Sequence, residues 1–443
     1  MAISAYDGPT LGLAVPWQRR QWSCAASSRA LVAFSASLSA SEAANSAHPL
    51  IAADANDHLS GGFLIQSLGL NGHMAGPAAQ PARLSARAVT GTFGGRTGDV
   101  SLSIQATSPS LAIDLAEGRT LAVVGQRVTA NAHVSDTWRI DGQFEAGVLN
   151  DPSLPGAVSA IQGHWSAAPE NNRAVIRVEA GEALLTANAA SEEQRPLFHT
   201  MRLVDVAGML RDGQIDATGA IVLEERARRL AQFTATHDVD QGAGSAHINA
   251  PNIVFGPNLQ PYEISEMARG VTENVRGNAS GEADISWTND AIHASAVLHA
   301  QGLSLSTKTI PVIQDVRGDV RFDDLFNMTT PPHQELTIGL VNPGIEVRDG
   351  RIRFQLLPDQ RVAIEGAEFA FASGVLAITP TTLQLGSEET HLELTLRDVD
   401  AAALIAQLNI ADLHATGQIE GRFPLRLNAR SAYIEHGMLR AQG

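Results

Sequence analysis

The chain has 443 residues, 44% of them apolar and 18% charged, which is too long for one ordinary core and too apolar for a disordered segment. Its net charge of −16 repels nucleic-acid phosphates and an anionic membrane face alike, and aromatics at 5% offer little base-stacking surface, so a nucleic-acid partner is excluded and any lipid contact has to be apolar. Cys24 is the only cysteine, which rules out an internal disulfide and a Cys-x-x-Cys metal or redox pair.

Residues 1–60 are rich in Ala and Ser and form a poorly defined N-terminal segment. Within them Ala30–Ala40 follows Arg19, Arg20 and Arg29 in the manner of a weak signal segment, but serines break its apolar run, and it reads as a polar loop or edge strand. No stretch reaches the ~20 apolar residues of a membrane helix.

From about residue 61 short alternating runs recur between Gly, Asn and Asp turns, as in Val100–Gln105, Ser110–Leu115, Ala174–Val178 and Ile215–Leu223. Period two sets one side of each strand against a core and the other toward water. Residues 61–300 are therefore expected to be a repetitive β region and residues 301–443 a second one. In the second region Val320 and Phe322, then Leu336, Ile338 and Leu340, then Ile352 and Phe354, then Val362 and Ile364, and finally Leu392, Leu394 and Leu396 alternate with polar residues. Turn signals such as Asp349-Gly350 and Pro358-Asp359 separate some of these runs, and dense strands with short connections predict antiparallel meanders.

Helical patterns are few. Asp400–Leu408 has Asp400 as an N-cap and Leu404, Ile405 and Leu408 on one face; Pro261–Val275 is a looser helical pattern; Glu224–Leu230 reads as helix or charged strand end. Gly277–Gly281 and Gly417–Gly421 each follow one of the first two, and with Gly213–Gly219 they suggest glycine hairpins in a repeated, elongated β stack.

Patterns for chemistry are missing. There is no HExxH, and the 14 histidines are scattered, so each reads as a solvated or core histidine. Gly91–Gly98 lacks the Lys-Ser/Thr of a phosphate loop and reads as a hairpin turn, Asp238–Gly242 lacks the closing Glu of a calcium loop and reads as a turn, and no GxSxG elbow occurs. The expectation is a non-enzymatic protein without metal or cofactor.

The segments Val316–Leu325, Thr330–Gln334, Gly350–Leu356, Glu368–Leu376, Val399–Leu408 and Ala415–Leu425 resemble the C-terminal region of YdbH-like proteins, within the broader AsmA/TamB-like group of envelope proteins. The resemblance implies a curled, elongated antiparallel β-sheet whose apolar groove passes phospholipids between the inner and outer membranes, in the periplasm, with an N-terminal inner-membrane anchor. The chain shows no anchor and stops inside the resembling region, which fits a fragment. The overall expectation is an all-β fold with a few short helices. Its twelve groove candidates are the alternating residues of 301–443 named above, and its partners are phospholipid acyl chains. Two rivals are a β scaffold of the envelope, in which the same apolar sides pack on protein, and a glycan-binding β protein.

Overall fold

A computed structural model describes residues 32–39, 52–53, 59–74, 81–96, 98–114, 120–150, 156–171, 173–187, 196–238, 241–288, 291–408, 414–428 and 432–441. Cys24, most of the 1–60 segment, and Val239 and Asp240 of the acidic turn lie outside them. The described residues form 26 β-strands and two α-helices, and the strand pairings are antiparallel between near neighbours in sequence. The chain divides into two compact units: unit 1 holds residues 1–188, 200–246 and 286–292, and unit 2 holds 189–199, 247–285 and 293–443.

In unit 1, β1 (Val32–Ser39) and β2 (Ala52–Ala53) pair with β3 (Leu59–Met74). The ladder continues through β4 (Pro81–Arg96) and β5 (Asp99–Asp114), joined by the hairpin that the glycine-rich Gly91–Gly98 segment predicts. The next place is shared by β6 (Thr120–Val124) and β7 (Arg127–Val134), two halves of one interrupted strand that both bridge β5 and β8 (Trp138–Asn150). Then follow β9 (Gly156–Glu170), β10 (Arg173–Ala187), β11 (Met201–Arg211), β12 (Gln214–Leu223) and β13 (Arg228–Asp238).

Most of β14 (Ala243–Phe255), β15 (Glu273–Trp287) and β16 (Ile292–Ser306) belongs to unit 2. Its ladder runs through β17 (Val312–Phe322), β18 (Gln334–Asn342), β19 (Val347–Leu357) and β20 (Arg361–Phe371). Next comes an interrupted strand, β21 (Gly374–Ile378) and β22 (Thr381–Gln384), broken at Pro380, which has no N–H to donate. The ladder ends with β23 (Glu389–Asp400), β24 (Gln418–Asn428), and β25 (Ala432–Ile434) and β26 (Met438–Ala441), both paired with β24.

One backbone device recurs in both units. Ten non-glycine residues within strands have φ between 44° and 55°: Ala88, Ser108, Ala146, Ala160, Ala180, Asp205, Asn274, Asp315, Asp349 and Asp398. Eight of them stand just before the second member of an inward-facing pair three residues apart, such as Ala86/Val89, Phe144/Gly147, Val158/Ile161, Val178/Gly181, Leu203/Val206, Ile313/Val316, Val347/Gly350 and Leu396/Val399. Several of these sites coincide with register shifts. A residue in the left-handed region inserts a bulge, bends the strand and reverses which parity faces inward. Asp and Asn tolerate that region because their short side chains bond locally, and Ala is the smallest residue that still carries a Cβ.

The structure corrects three expectations. Asp349-Gly350 is no turn: both lie inside β19, and the left-handed preference of Asp349 is used for a mid-strand bulge. Pro261–Val275 is mostly not helical: α1 (Pro261–Ile264) is one turn, a 3₁₀ turn covers Glu266–Ala268, and Val275 enters the core from β15 at 2% exposure. Ser265 is extended (φ −138°) and Gly270 is left-handed (φ 77°), which stops the helix. Gly277 and Gly281 form no hairpin but lie within β15, where a Cβ would come within 2.8 Å of the Gly302 carbonyl and 3.0 Å of the Val297 carbonyl. Only Gly213 serves a hairpin, between β11 and β12. The Asp400 cap is as expected: its carboxylate accepts from Ala403 N at 2.7 Å and opens α2 (Ala401–Leu408). Pro358-Asp359 is a turn, with Asp359 and Gln360 left-handed.

Within unit 1, Trp287 Nε1 donates to His237 Nδ1 at 3.1 Å, and the two rings stack at 26°. The indole lies over Gly244, where any Cβ would overlap it. Burial holds the His237 imidazole below its usual range, against the raising effects of Asp238 and a backbone hydrogen bond with Ala243.

Two predictions follow from these arrangements. Ala160→Gly and Ala180→Gly, at exposed left-handed positions, should each raise stability by ~0.5–1 kcal/mol, because relief of about 1–2 kcal/mol of left-handed strain exceeds the added chain entropy of glycine. Ala180→Val should lower it, both read from urea midpoints. Because the folded His237 pKa lies below the unfolded value of 6.5, the unfolded state takes the proton first. Its stability contribution is complete above pH 6.5 and fades as pH falls through the folded pKa; His237→Phe should flatten that part of a pH–stability profile.

Candidate functional site

The two sides of most strands differ in chemistry, although Val175, Ala220 and Val222 are buried on the polar side. Outward positions carry ion pairs such as Arg177–Glu170 at 2.5 Å, Arg422–Glu393 at 3.0 Å and Arg397–Glu368. Several histidines pair with acids there, including His247–Asp284 at 2.8 Å and His299–Asp319 at 2.7 Å. Glu365 accepts from the His333 N–H at 3.0 Å and meets its ring at 2.6 Å. Burial would raise the Glu365 carboxyl, but the His333 hydrogen bonds and the charges of His333 and Arg353 outweigh it and hold the group below the usual carboxylate range. Among the described residues no three His, Cys, Asp or Glu side chains gather as a metal site. No helix among them is long and apolar enough to cross a membrane.

The inward sides form rows of directly opposed apolar residues. In unit 2 one row crosses six strands: Leu336, Ile352, Ala367, Ile378, Leu394 and Phe423, on β18, β19, β20, β21, β23 and β24. Four of the twelve candidates, Val320, Phe354, Val362 and Ile364, are buried together, with Phe322, Leu336 and Ile352 packed against them. Leu396 is buried in a second cluster with Phe369, Phe371 and Val399, against which Ile338, Ile352 and Leu404 of α2 pack. Ile338 and Leu336 also pack on Val275, Leu303 and Val316. Leu392 faces Leu425 and is half-buried. Leu340 stands opposite Gln314 and Arg348 instead, because the bulge at Asp315 and Asp349 reverses the parity and Val341 takes the inward place.

The longer row is in unit 1, in the part of the chain where no site residue was expected. Phe93, Leu102, Ala132, Ile140, Ala167, Ile176, Leu210 and Ile215 are successive cross-strand partners on β4, β5, β7, β8, β9, β10, β11 and β12. Seven of the eight are half-buried, and only Ala167 is buried, at 7% exposure. The adjoining row is Gly91, Ile104, Ala130, Gly142, Trp165, Val178, Gly208, Ala217 and Ala235, in which Gly and Ala predominate. Half-buried bulky residues thus stand beside a row in which Gly and Ala leave little side-chain volume. The alternation in Val100–Gln105, Ala174–Val178 and Ile215–Leu223 already marks Leu102, Ile104, Ile176, Val178 and Ile215; the rest needed the register.

A family model described as intermembrane phospholipid transport protein YdbH matches residues 77–443. The chain belongs to the YdbH-like family. The match reaches well before Val316, where the first resembling segment begins, and so takes in most of unit 1 as well as unit 2. No curated protein and no solved structure gave a match. The family is one of intermembrane phospholipid transport, which places the YdbH-like chain among lipid-handling proteins of the cell envelope and not in an enzyme family.

The packing in unit 2 gives one prediction. Gly350 is buried beneath the ring of Phe369, and an added Cβ would overlap that ring. Gly350→Ala should cost about 1–3 kcal/mol by overpacking, and Phe369→Leu in the same chain should recover part of that loss in a double-mutant cycle of urea midpoints.

Proposed function

We propose that this YdbH-like protein carries phospholipids between the inner and outer membranes, with acyl chains lying on the inward apolar side of its strands. The observation that carries this reading is the half-buried row of eight apolar residues from Phe93 to Ile215. At about 4.8 Å per strand the seven steps of that row cover roughly 34 Å. Each methylene taken from water contributes ~0.8 kcal/mol, so a sixteen-carbon tail gains on the order of 10 kcal/mol before entropic costs. Repeated contacts of similar kind let a chain slide without one deep trap. In unit 2 the buried candidates Val320, Phe354, Val362, Ile364 and Leu396 act as the floor, and the partly exposed Phe322, Leu336, Ile338, Ile352, Leu392 and Leu394 offer contact area, while Leu340 lies on the other side. The acidic, ion-paired outer side keeps the body in the aqueous periplasm, and the reading includes attachment to the inner membrane.

Protein purified from membranes of a Gram-negative host should carry phospholipid detectable by native mass spectrometry. Ile140→Asp and Leu210→Asp should each cut that occupancy several-fold, while Arg127→Gln on the outward side should leave it unchanged. A photo-crosslinking residue at Leu210 should capture lipid. A chain that purifies free of lipid and captures none would favour the scaffold reading instead.

A further inference from the structure

The outward side of the same unit 1 strands carries a second feature that the apolar row does not use. Between β5 and β10 two neighbouring polar rows cross the sheet: Gln105, Thr129, Gln143, His164 and Glu179, and beside them Ser103, Asn131, Asp141 and Ser166. They line a concavity of about 480 Å³, together with Arg139 and the intervening Ile104, Gly142 and Trp165. That volume lies within the ~300–1,000 Å³ of small-molecule sites, yet such sites are mostly apolar and this one is polar, so a polar guest is required.

The charges narrow the chemistry. One arginine faces one aspartate and one glutamate, a balance of −1 with His164 neutral, which disfavours a free anion or a lipid phosphate. Elsewhere on this side of unit 1 several arginines are engaged, as in Arg127–Glu145 at 3.8 Å and Arg211–Glu170 at 3.0 Å. Among the described residues Arg139, Asp141 and Glu179 make no ion pair or side-chain hydrogen bond, and neither do Gln105 and Ser166. The remaining groups are pre-arranged by weak mutual bonds: Ser103 Oγ donates to Asn131 Oδ1 at 2.9 Å, Gln143 N donates to Thr129 Oγ1 at 3.2 Å, and Gln143 Nε2 meets His164 Nδ1 at 3.3 Å. A concave set of planar amides, an imidazole, hydroxyls and a few charges of both signs matches a ligand with many hydroxyls, each able to donate and accept, and no net charge.

We propose that this concavity is a saccharide site, so that the YdbH-like chain binds a neutral glycan on the side of the sheet opposite its apolar row. Strand geometry fixes the opposition: Ser103 and Gln105 alternate with Leu102 and Ile104 on β5, and Asp141 and Gln143 alternate with Ile140 and Gly142 on β8.

The test is saturation-transfer difference NMR on the whole chain with maltotetraose, chitotetraose and, as a headgroup probe, glycerophosphoethanolamine. At least one saccharide should receive saturation. Gln143→Ala with His164→Ala, both exposed, should weaken that binding by about tenfold, and Gln105→Ala by a smaller factor. Ile140→Asp, which attacks the apolar row, should leave it intact, so a failure of the lipid reading does not carry this one with it. No transfer to either saccharide, undiminished binding by the double variant, or binding of the headgroup probe alone would overturn the proposal.

Discussion

A strand can present apolar residues inward on both halves of its length only while its parity holds, and a bend breaks that parity. This YdbH-like protein resolves the conflict with one left-handed residue in each of many strands. The inward pairs Ala86/Val89, Val178/Gly181, Val347/Gly350 and Leu396/Val399 are three apart, not two, and each has a residue near φ 50° just before its second member. At roughly 1–2 kcal/mol of strain per site this is a standing cost, and it is tolerated because every bulge keeps an apolar side chain on the inward side of a bent strand. The rows that make up both units depend on it.

The two units use the same ladder with different side-chain sizes. Unit 2 places Phe354, Phe369, Phe371 and Phe423 inward and folds α2 against them through Leu404, so much of its apolar side closes on protein. Its glycines serve that closure: Gly350 accommodates Phe369, and Gly421 lies against Phe423. Unit 1 places Gly and Ala where unit 2 has Phe, and the cluster around Ala86, Val89 and Ala106 is correspondingly small. A face built that way stays half-buried, and the proposed path for a hydrocarbon guest rests on it.

The outward side obeys electrostatics more than packing. Exposed Arg–carboxylate and His–carboxylate pairs contribute little each, but they keep like charges apart in a chain of net charge −16. The concavity between β5 and β10 stands out because its charges are not spent on one another, and unspent polar groups in a concave setting are how a sheet presents a surface for a polar ligand.

The all-β class, the antiparallel meander, the Asp400 cap and the Pro358-Asp359 turn were legible in the sequence, because each rests on local periodicity or on a residue's own backbone and capping preference, and the family was legible from the segments that resemble it. The Asp349-Gly350 signal was legible too, but as a left-handed residue and not as a turn: a local preference cannot say whether the chain reverses or only bends. The candidate site was half legible. Alternation found Leu336, Ile352 and Leu394, yet it carried strict period two through Gly339 to Leu340, and it gave no reason to look at Phe93 or Leu210. Which strands lie side by side, how far each register is offset, and whether an apolar side ends up covered are set by pairings between residues tens of positions apart and by the size of whatever packs opposite. Sequence alone determined the kind of element and the two chemistries of its sides; only the tertiary structure decided where the parity turns over and how deeply each apolar residue is buried, because those depend on long-range register and steric fit that no local pattern encodes.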